Sequence, residues 1–233
     1  MRLGACGGRR ARDELTSDGT ATTALMKRIL SVAGVALALA APTGAAQADP
    51  LAVRSKGRPD APVVVYEMAD FQCPACRHFA LETMPALERE FVRTGKVRWV
   101  FINFPLSVFD STFHPNAGPA AELAMCAARQ DRFWPAHDAL FQRQALWAPL
   151  ADPAGYFAAL ADTLGLDRRA LAACLADDGV RAEITADARR AYRSGARSTP
   201  TFWIAGGKID GAIPLPAFRA VLDSIHRART ASQ

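Results

Sequence analysis

Along the chain the apolar positions change period several times, and each change marks an element. Val63 to Tyr66 is an unbroken apolar run, the pattern of a strand covered on both faces. From Cys73 the period lengthens: Ala80, Met84, Leu87 and Phe91 recur at spacings of four, three and four, one face of a helix. Pro85 lies inside that helix and is expected to bend it, and Gly95 offers a C-terminal stop. A second strand is expected over Val97 to Phe104, where β-branched and aromatic residues accumulate.

Between His114 and Tyr192 the chain becomes Ala- and Arg-rich with helical periodicity, broken near Asp131, Pro149 to Pro153, Gly165 and Gly179. Three or four helices forming a unit of their own are expected there. Strand patterning resumes at Thr201-Phe202-Trp203-Ile204-Ala205. Gly206-Gly207 reads as a hairpin turn and Lys208 to Ala212 as the returning strand. Pro214 to Arg229 closes the chain as an amphipathic helix, with Phe218, Val221, Leu222 and Ile225 on one face. The order predicts an α/β fold, a central sheet interrupted by a helical insertion over about residues 114–192.

Composition adds size and destination. With 233 residues, half of them hydrophobic, one domain with a sizeable core is expected. The net charge of +5 is concentrated at the start: residues 1–48 hold six Lys/Arg against three Asp/Glu, leaving 22 against 20 from Asp49 onward. No basic stripe interleaved with aromatics is present, so nucleic-acid binding has no support. The N-terminal stretch reads as an export signal instead. Lys27-Arg28 are its positive start, Ile29 to Ala41 its apolar stretch, and Ala46-Gln47-Ala48 a small-x-small cleavage site. Met26 stands where such a signal ordinarily begins, which makes residues 1–25 an unusual extension or a mis-assigned start. Thirteen residues fall short of the ~20 that span a bilayer, and no cysteine follows them to carry a lipid, so stable membrane insertion is not expected. The expected organisation is an extension and signal over 1–48 and a mature domain over 49–233, placed in a periplasmic or other extracytoplasmic space.

Chemistry concentrates in Phe71-Gln72-Cys73-Pro74-Ala75-Cys76, a Cys-x-x-Cys pair between the first strand and the first helix. At such a junction unpaired backbone N–H groups and the helix dipole favour the thiolate, the reactive form of cysteine. The first thiol is then placed to attack disulfides, and the second, one turn on, to resolve the mixed disulfide. A structural zinc site needs four ligands, and no second close-spaced Cys or His pair exists, so no metal is expected. Covalent haem attachment wants His directly after the second cysteine, where Arg77 stands and His78 comes one place late. A passive structural disulfide is the plainer alternative, although a strand-to-helix corner is an odd place for one. No cofactor is expected. Removing residues 1–48 discards Cys6 and leaves Cys73, Cys76, Cys126 and Cys174. An even number in an oxidising compartment suggests two disulfides. With the local pair taken as reactive, Cys126 and Cys174 are left to each other; the alternative is two buried, unpaired thiols acting as small hydrophobes.

These residues resemble a thioredoxin-fold protein, and more narrowly a DsbA-type disulfide oxidoreductase with a helical insertion. The resemblance covers roughly Pro62 to Arg229. It rests on Glu67-Met68-Ala69-Asp70-Phe71-Gln72-Cys73-Pro74-Ala75-Cys76 and on Ser198-Thr199-Pro200-Thr201-Phe202, with Cys126-Ala127-Ala128 and the stretch Phe133 to Phe141 in support. It implies a thioredoxin-like central sheet, Cys73 as the exposed nucleophile and Cys76 as the resolving thiol. It also implies a cis Thr199-Pro200 bond against the active-site pair, leaving the backbone before Pro200 free to bind an extended substrate strand; an ordinary strand-initiating proline is the alternative. Glu67 takes the position where such proteins carry a buried carboxyl that assists proton transfer at Cys76, against a surface Glu at a strand end. Asp70 is placed to cap the helix. The Pro-Ala between the cysteines, where the strongest oxidants carry Pro-His, removes an imidazole from the motif. Trp134, His137 and Phe141 fall at helical spacing and are expected to pack the insertion.

The function expected is exchange of a Cys73–Cys76 disulfide with thiols of unfolded or cysteine-containing client proteins, most simply as an oxidase re-oxidised by a membrane redox partner. The same chemistry run in reverse makes a reductase or isomerase. A third expectation, from a different class, is a peptide-binding or chaperone module with incidental thiols.

Overall fold

The computed structural model describes residues 51–231; the expected signal and cleavage site lie outside them. Five strands form one mixed sheet in the order β1-β3-β2-β4-β5. They are β1 (Ser55–Lys56), β2 (Val63–Ala69), β3 (Val97–Asn103), β4 (Thr201–Ile204) and β5 (Gly207–Asp210). Only β2 and β3 run parallel, with Val65 opposite Trp99 and Glu67 opposite Phe101. β4 lies antiparallel on the other side of β2 and sets Glu67 opposite Phe202. The apolar run of β2 is therefore covered on both faces, as its lack of alternation requires. Val63 and Val65 pack with Phe79, Trp99, Phe202 and Phe218, while Met68 packs with Val100 and Ile102 on the reverse face.

The hairpin turn is Ala205-Gly206, one residue earlier than the glycine pair suggested. Both residues have positive φ, +48° and +87°, as a two-residue turn joining twisted strands demands. Gly207 is already the first residue of β5.

The first helix is not one smooth bend at Pro85. α1 (Pro74–His78) passes into a π-helical turn over Phe79–Thr83, then α2 (Met84–Leu87) and a second π-helical turn over Glu88–Val92. Pro85 has no N–H to give, and its ring crowds the carbonyl four residues back. The ladder widens just before it, where Met84 N–H donates to Phe79 O, and this is the usual way an α-helix absorbs such a conflict. Gly95, at φ +77°, supplies the left-handed stop.

Between β3 and β4 stand six α-helices where three or four were expected. They are α3 (Ala117–Ala128), α4 (Phe133–Gln142), α5 (Gln144–Trp147), α6 (Ala154–Thr163), α7 (Arg168–Leu175) and α8 (Asp178–Arg193). Two of the extra starts are made by aspartates: Asp167 accepts from Ala170 N–H and Asp177 from Gly179 N–H, the capping role that short acidic side chains favour. Nor is the block separate in its core. Phe71 and Phe101 from the sheet side share one apolar cluster with Leu123, Phe133, Leu140, Phe141 and Leu160 from these helices. Helix α9 (Leu215–Thr230) returns to the sheet and buries Phe218 and Leu222.

At the edge, a short 3-10 turn (Ala52–Arg54) leads into β1. Arg54 is only 1% exposed and pairs with Asp187 of α8, with Glu183 at 3.3 Å as a second partner.

Candidate active site

β2 ends at Ala69, and the chain turns through Asp70-Phe71-Gln72 into α1, of which Cys73 is the N-cap and Pro74 the first residue. Pro suits that position because its missing N–H would have had no intrahelical partner. Asp70 does not cap the helix. Its Oδ1 accepts from Gln72 N–H at 2.7 Å and its Oδ2 from Leu106 N–H at 2.9 Å, so it ties the corner to the loop after β3 instead. Phe71 is driven inward against Phe101 and Phe141, with ring centroids 5.1 Å away in each case.

Gln144 and Asn116 of the helical block hold this corner, the second through Gln72 of the corner itself. Gln144 Nε2 donates to Phe71 O at 2.7 Å and to Cys73 O at 3.0 Å. Gln72 donates to Ala148 O at 2.9 Å and accepts from Asn116 N–H at 2.7 Å. These partners stand 44 to 76 residues apart in the chain, and no local pattern in the sequence points to them.

Both thiols are free. The resemblance implied an exposed nucleophile, but Cys73 is only 7% exposed and Cys76 fully buried. The cover comes from the loop before β4, where the Thr199–Pro200 bond is cis and Thr199 O accepts from Cys73 Sγ at 3.3 Å. Cys73 is still the more accessible of the two. Its pKa is pulled down to about 6, first by the hydrogen bond from the Cys76 thiol, with burial opposing, and then by Thr199 and the N–H groups of Cys76 and Ala75. Cys76 is pushed up by burial, with Cys73 reinforcing the rise and Glu67 adding to it.

Glu67 is buried, and its charge acts on Cys76. Its Oε2 accepts from Trp99 Nε1 at 2.7 Å, and Oε1 has no partner. Burial raises its pKa from 4.5 to about 7, against the Trp99 hydrogen bond and the charge of Lys56. A buried carboxyl whose pKa lies near neutrality is suited to moving a proton.

Cys126 and Cys174 form a disulfide that joins α3 to α7. His137 is buried among Phe71, Phe101, Trp134 and Phe141, and its Nδ1 lies 2.8 Å from Asp138 Oδ1. Trp134 Nε1 donates to Ser55 O at 3.1 Å. These residues pack the block against the sheet. The structure adds one neighbour that the motif does not contain: His114, whose Nδ1 lies 3.0 Å from Asp70 Oδ2. Among the described residues no group of three or more His, Cys, Asp or Glu is placed to hold a metal ion.

A dithiol at the end of a central parallel strand, facing a cis-proline loop, makes this a thioredoxin-fold protein. A family model described as thioredoxin matches residues 52–224, and the chain belongs to that family. Among curated relatives, it is 43% identical over 91 residues to the "Probable disulfide bond formation protein D" of Bacillus anthracis, covering 39% of this chain and 40% of that protein. The chain thus spans well under half of that relative. It is also 35% identical over 176 residues to the Na(+)/H(+) antiporter NhaA 3 of Salinispora tropica, covering 76% of this chain and 25% of the antiporter. Among solved structures, alpha-DsbA1 of Wolbachia pipientis is similar with a TM-score of 0.68 at 24% identity, over 77% of this chain and 93% of that one.

Proposed function

We propose that the chain is an exported thiol:disulfide oxidoreductase that passes its Cys73–Cys76 disulfide to cysteine-containing client proteins. The observation that carries this reading is the free dithiol at the head of α1, with Cys76 fully buried and Cys73 beside the carbonyl that precedes the cis Pro200; the pull on Cys73 downward and on Cys76 upward agrees with it. A stabilised Cys73 thiolate favours the reduced enzyme and makes the disulfide oxidising. The name of the Bacillus relative supports the same direction.

On this reading the exchange runs in two steps. A client thiolate attacks Cys73 Sγ in the enzyme disulfide; the Cys73–Cys76 bond breaks and a Cys73–client bond forms. Cys76 leaves as a thiolate of high proton affinity and takes the proton of Glu67. A second client thiolate attacks the client sulfur of the mixed disulfide, and Cys73 leaves as its stabilised thiolate. The client gains a disulfide and the enzyme becomes a dithiol. The Thr199 carbonyl, beside Cys73 and just before Pro200, is the backbone group placed to receive an extended client segment. Re-oxidation needs an external oxidant, for which a membrane redox partner is the natural source. Among the described residues no helix is long and apolar enough to cross a membrane, and ion transport is not carried over from the antiporter.

The test is the reduction potential of the Cys73–Cys76 couple, with thiol oxidation assayed on Cys73→Ser and Cys76→Ser. A value toward about −120 mV supports the oxidase, and one near about −270 mV reassigns the enzyme as a reductase. If all three proteins behave alike, the thiols are incidental and a binding module replaces the enzyme.

A further inference from the structure

Two loops flank the dithiol corner, and exposed aromatic rings join them. The loop after β3 is tied to the corner by Phe104 N–H, which donates to Ala69 O at 2.8 Å, and by the Leu106 N–H bonded to Asp70. It carries Phe109, 47% exposed. The loop after α8 reaches the corner at Thr199, whose carbonyl accepts from Cys73 Sγ at 3.3 Å. The two meet where Phe109 packs on Tyr192 of α8, itself 45% exposed, with ring centroids 5.2 Å apart. Arg197 lies over the Tyr192 ring, its Cζ 3.9 Å from the centroid, an arrangement that attracts a cation to an aromatic face. Its Nη1 donates to Tyr192 O at 2.6 Å and to Ala196 O at 2.8 Å, which fixes the guanidinium. Among the described residues no carboxylate pairs with it. The acids nearby in the chain are engaged elsewhere: Asp110 accepts from the N–H and hydroxyl of Thr112, and Asp210 pairs with Lys208.

We propose that Arg197, seated on Tyr192 and Phe109, is a client subsite that favours segments carrying a carboxylate two to four residues from the reacting cysteine. The inference rests on the exchange at Cys73 proposed above. Reach sets the spacing. Arg197 stands two residues before Thr199, and Thr199 O is 3.3 Å from Cys73 Sγ, so the base of the arginine side chain lies within about 13 Å of the reacting sulfur. An extended client advances ~3.3 Å per residue and covers that distance in about four residues or fewer. With Nη1 held by backbone carbonyls, Nε and Nη2 remain for a carboxylate, in the fork geometry that suits one. The two exposed rings add rigid apolar area beside the charge, and arginine with aromatic residues is the composition of a binding surface. Opposite charges across an interface act first on encounter, so the preference belongs in the second-order rate of client oxidation.

The test uses the disulfide form of the whole protein and two-cysteine peptides with Glu, Gln or Lys about three residues from each cysteine. Each second-order oxidation rate is divided by that of the same peptide with oxidised glutathione, which cancels the intrinsic reactivity of the thiols. Wild type is expected to prefer the Glu peptide over the Gln peptide about threefold and to disfavour the Lys peptide by as much, the effect of one exposed ion pair. Raising the salt to about 1 M, where charges are screened within ~3 Å, is expected to level the three rates. Arg197→Gln is expected to remove the order, and Arg197→Glu to reverse it in favour of Lys. Equal rates for the Glu and Lys peptides with wild type overturn the subsite without any variant having to fold. So does an order that survives in Arg197→Gln. If wild type oxidises none of the peptides, the exchange reading itself fails, and the subsite with it.

Discussion

Glu67→Gln removes one ionisation and almost no volume, and its effect can be worked out from the structure. Burial lifts the Glu67 pKa from 4.5 to about 7. Across that window the folded protein holds a proton that the unfolded chain has released, so stability falls as pH rises through it. At 1.36 kcal/mol per pKa unit, the loss above both values is about 3 kcal/mol. Glutamine keeps an acceptor for the Trp99 indole N–H and cannot ionise. Chemical denaturation of the disulfide form, where neither active-site thiol titrates, is compared at about pH 4 and about pH 8 for both proteins. Relative to wild type, the variant is expected to gain about 3 kcal/mol between the two conditions. His137, kept below its usual range by burial, titrates in both proteins and cancels in the subtraction. A gain below about 0.5 kcal/mol, within the error of such comparisons, would refute the buried-carboxyl reasoning.

Replacing Cys126 and Cys174 together by Ala opens a loop of 48 residues. On a chain-entropy estimate this costs about 4 kcal/mol, or a fall of about 8–16 °C in Tm by calorimetry, with the Cys73 alkylation profile unchanged. Cys76→Ser keeps a hydroxyl donor beside Cys73, whereas Cys76→Ala removes the largest stabilising contact. Alkylation rate against pH is expected to move the Cys73 midpoint from about 6 toward about 8.5 only in the alanine variant. N-terminal sequencing of the exported protein is expected to begin at Asp49, and an intact N-terminus on a cytoplasmic protein would reject export.

What was legible in the sequence was local. Val63 to Tyr66, the corner at Cys73, the apolar period through Met84, Leu87 and Phe91, and helix α9 each carry their structure in adjacent residues. Errors arose where two local signals competed. The Gly206-Gly207 pair hid a turn that uses Ala205 at φ +48°. Pro85 marked a disturbance in the helix but not its form, a π-helical turn placed ahead of the proline. The fate of Glu67 was open because its environment is set by Trp99 and Phe202 on neighbouring strands, and only the sheet register brings them together. Gln144, Asn116 and His114 meet the dithiol corner from 44 to 73 residues away in the chain, and nothing in their own neighbourhoods encodes a polar partner so distant. The covering of Cys73 by Thr199, 126 residues on, belongs to the same class.

The Arg54–Asp187 pair closes a separation of 133 residues. It secures the turn that feeds β1, and β1 is the strand that covers the outer edge of β3, with Ser55 opposite Val100 and Lys56 opposite Trp99. Contacts so distant in sequence are slow to form, because loop closure must be met first. Until α8 has packed, Trp99 and Val100 lack the neighbour that β1 gives them and leave an apolar stretch of β3 with one side unpaired, the kind of edge that recruits other chains. The last helix of the block thus guards the sheet against self-association, and the period before it docks is when a newly made chain is most exposed to misassembly.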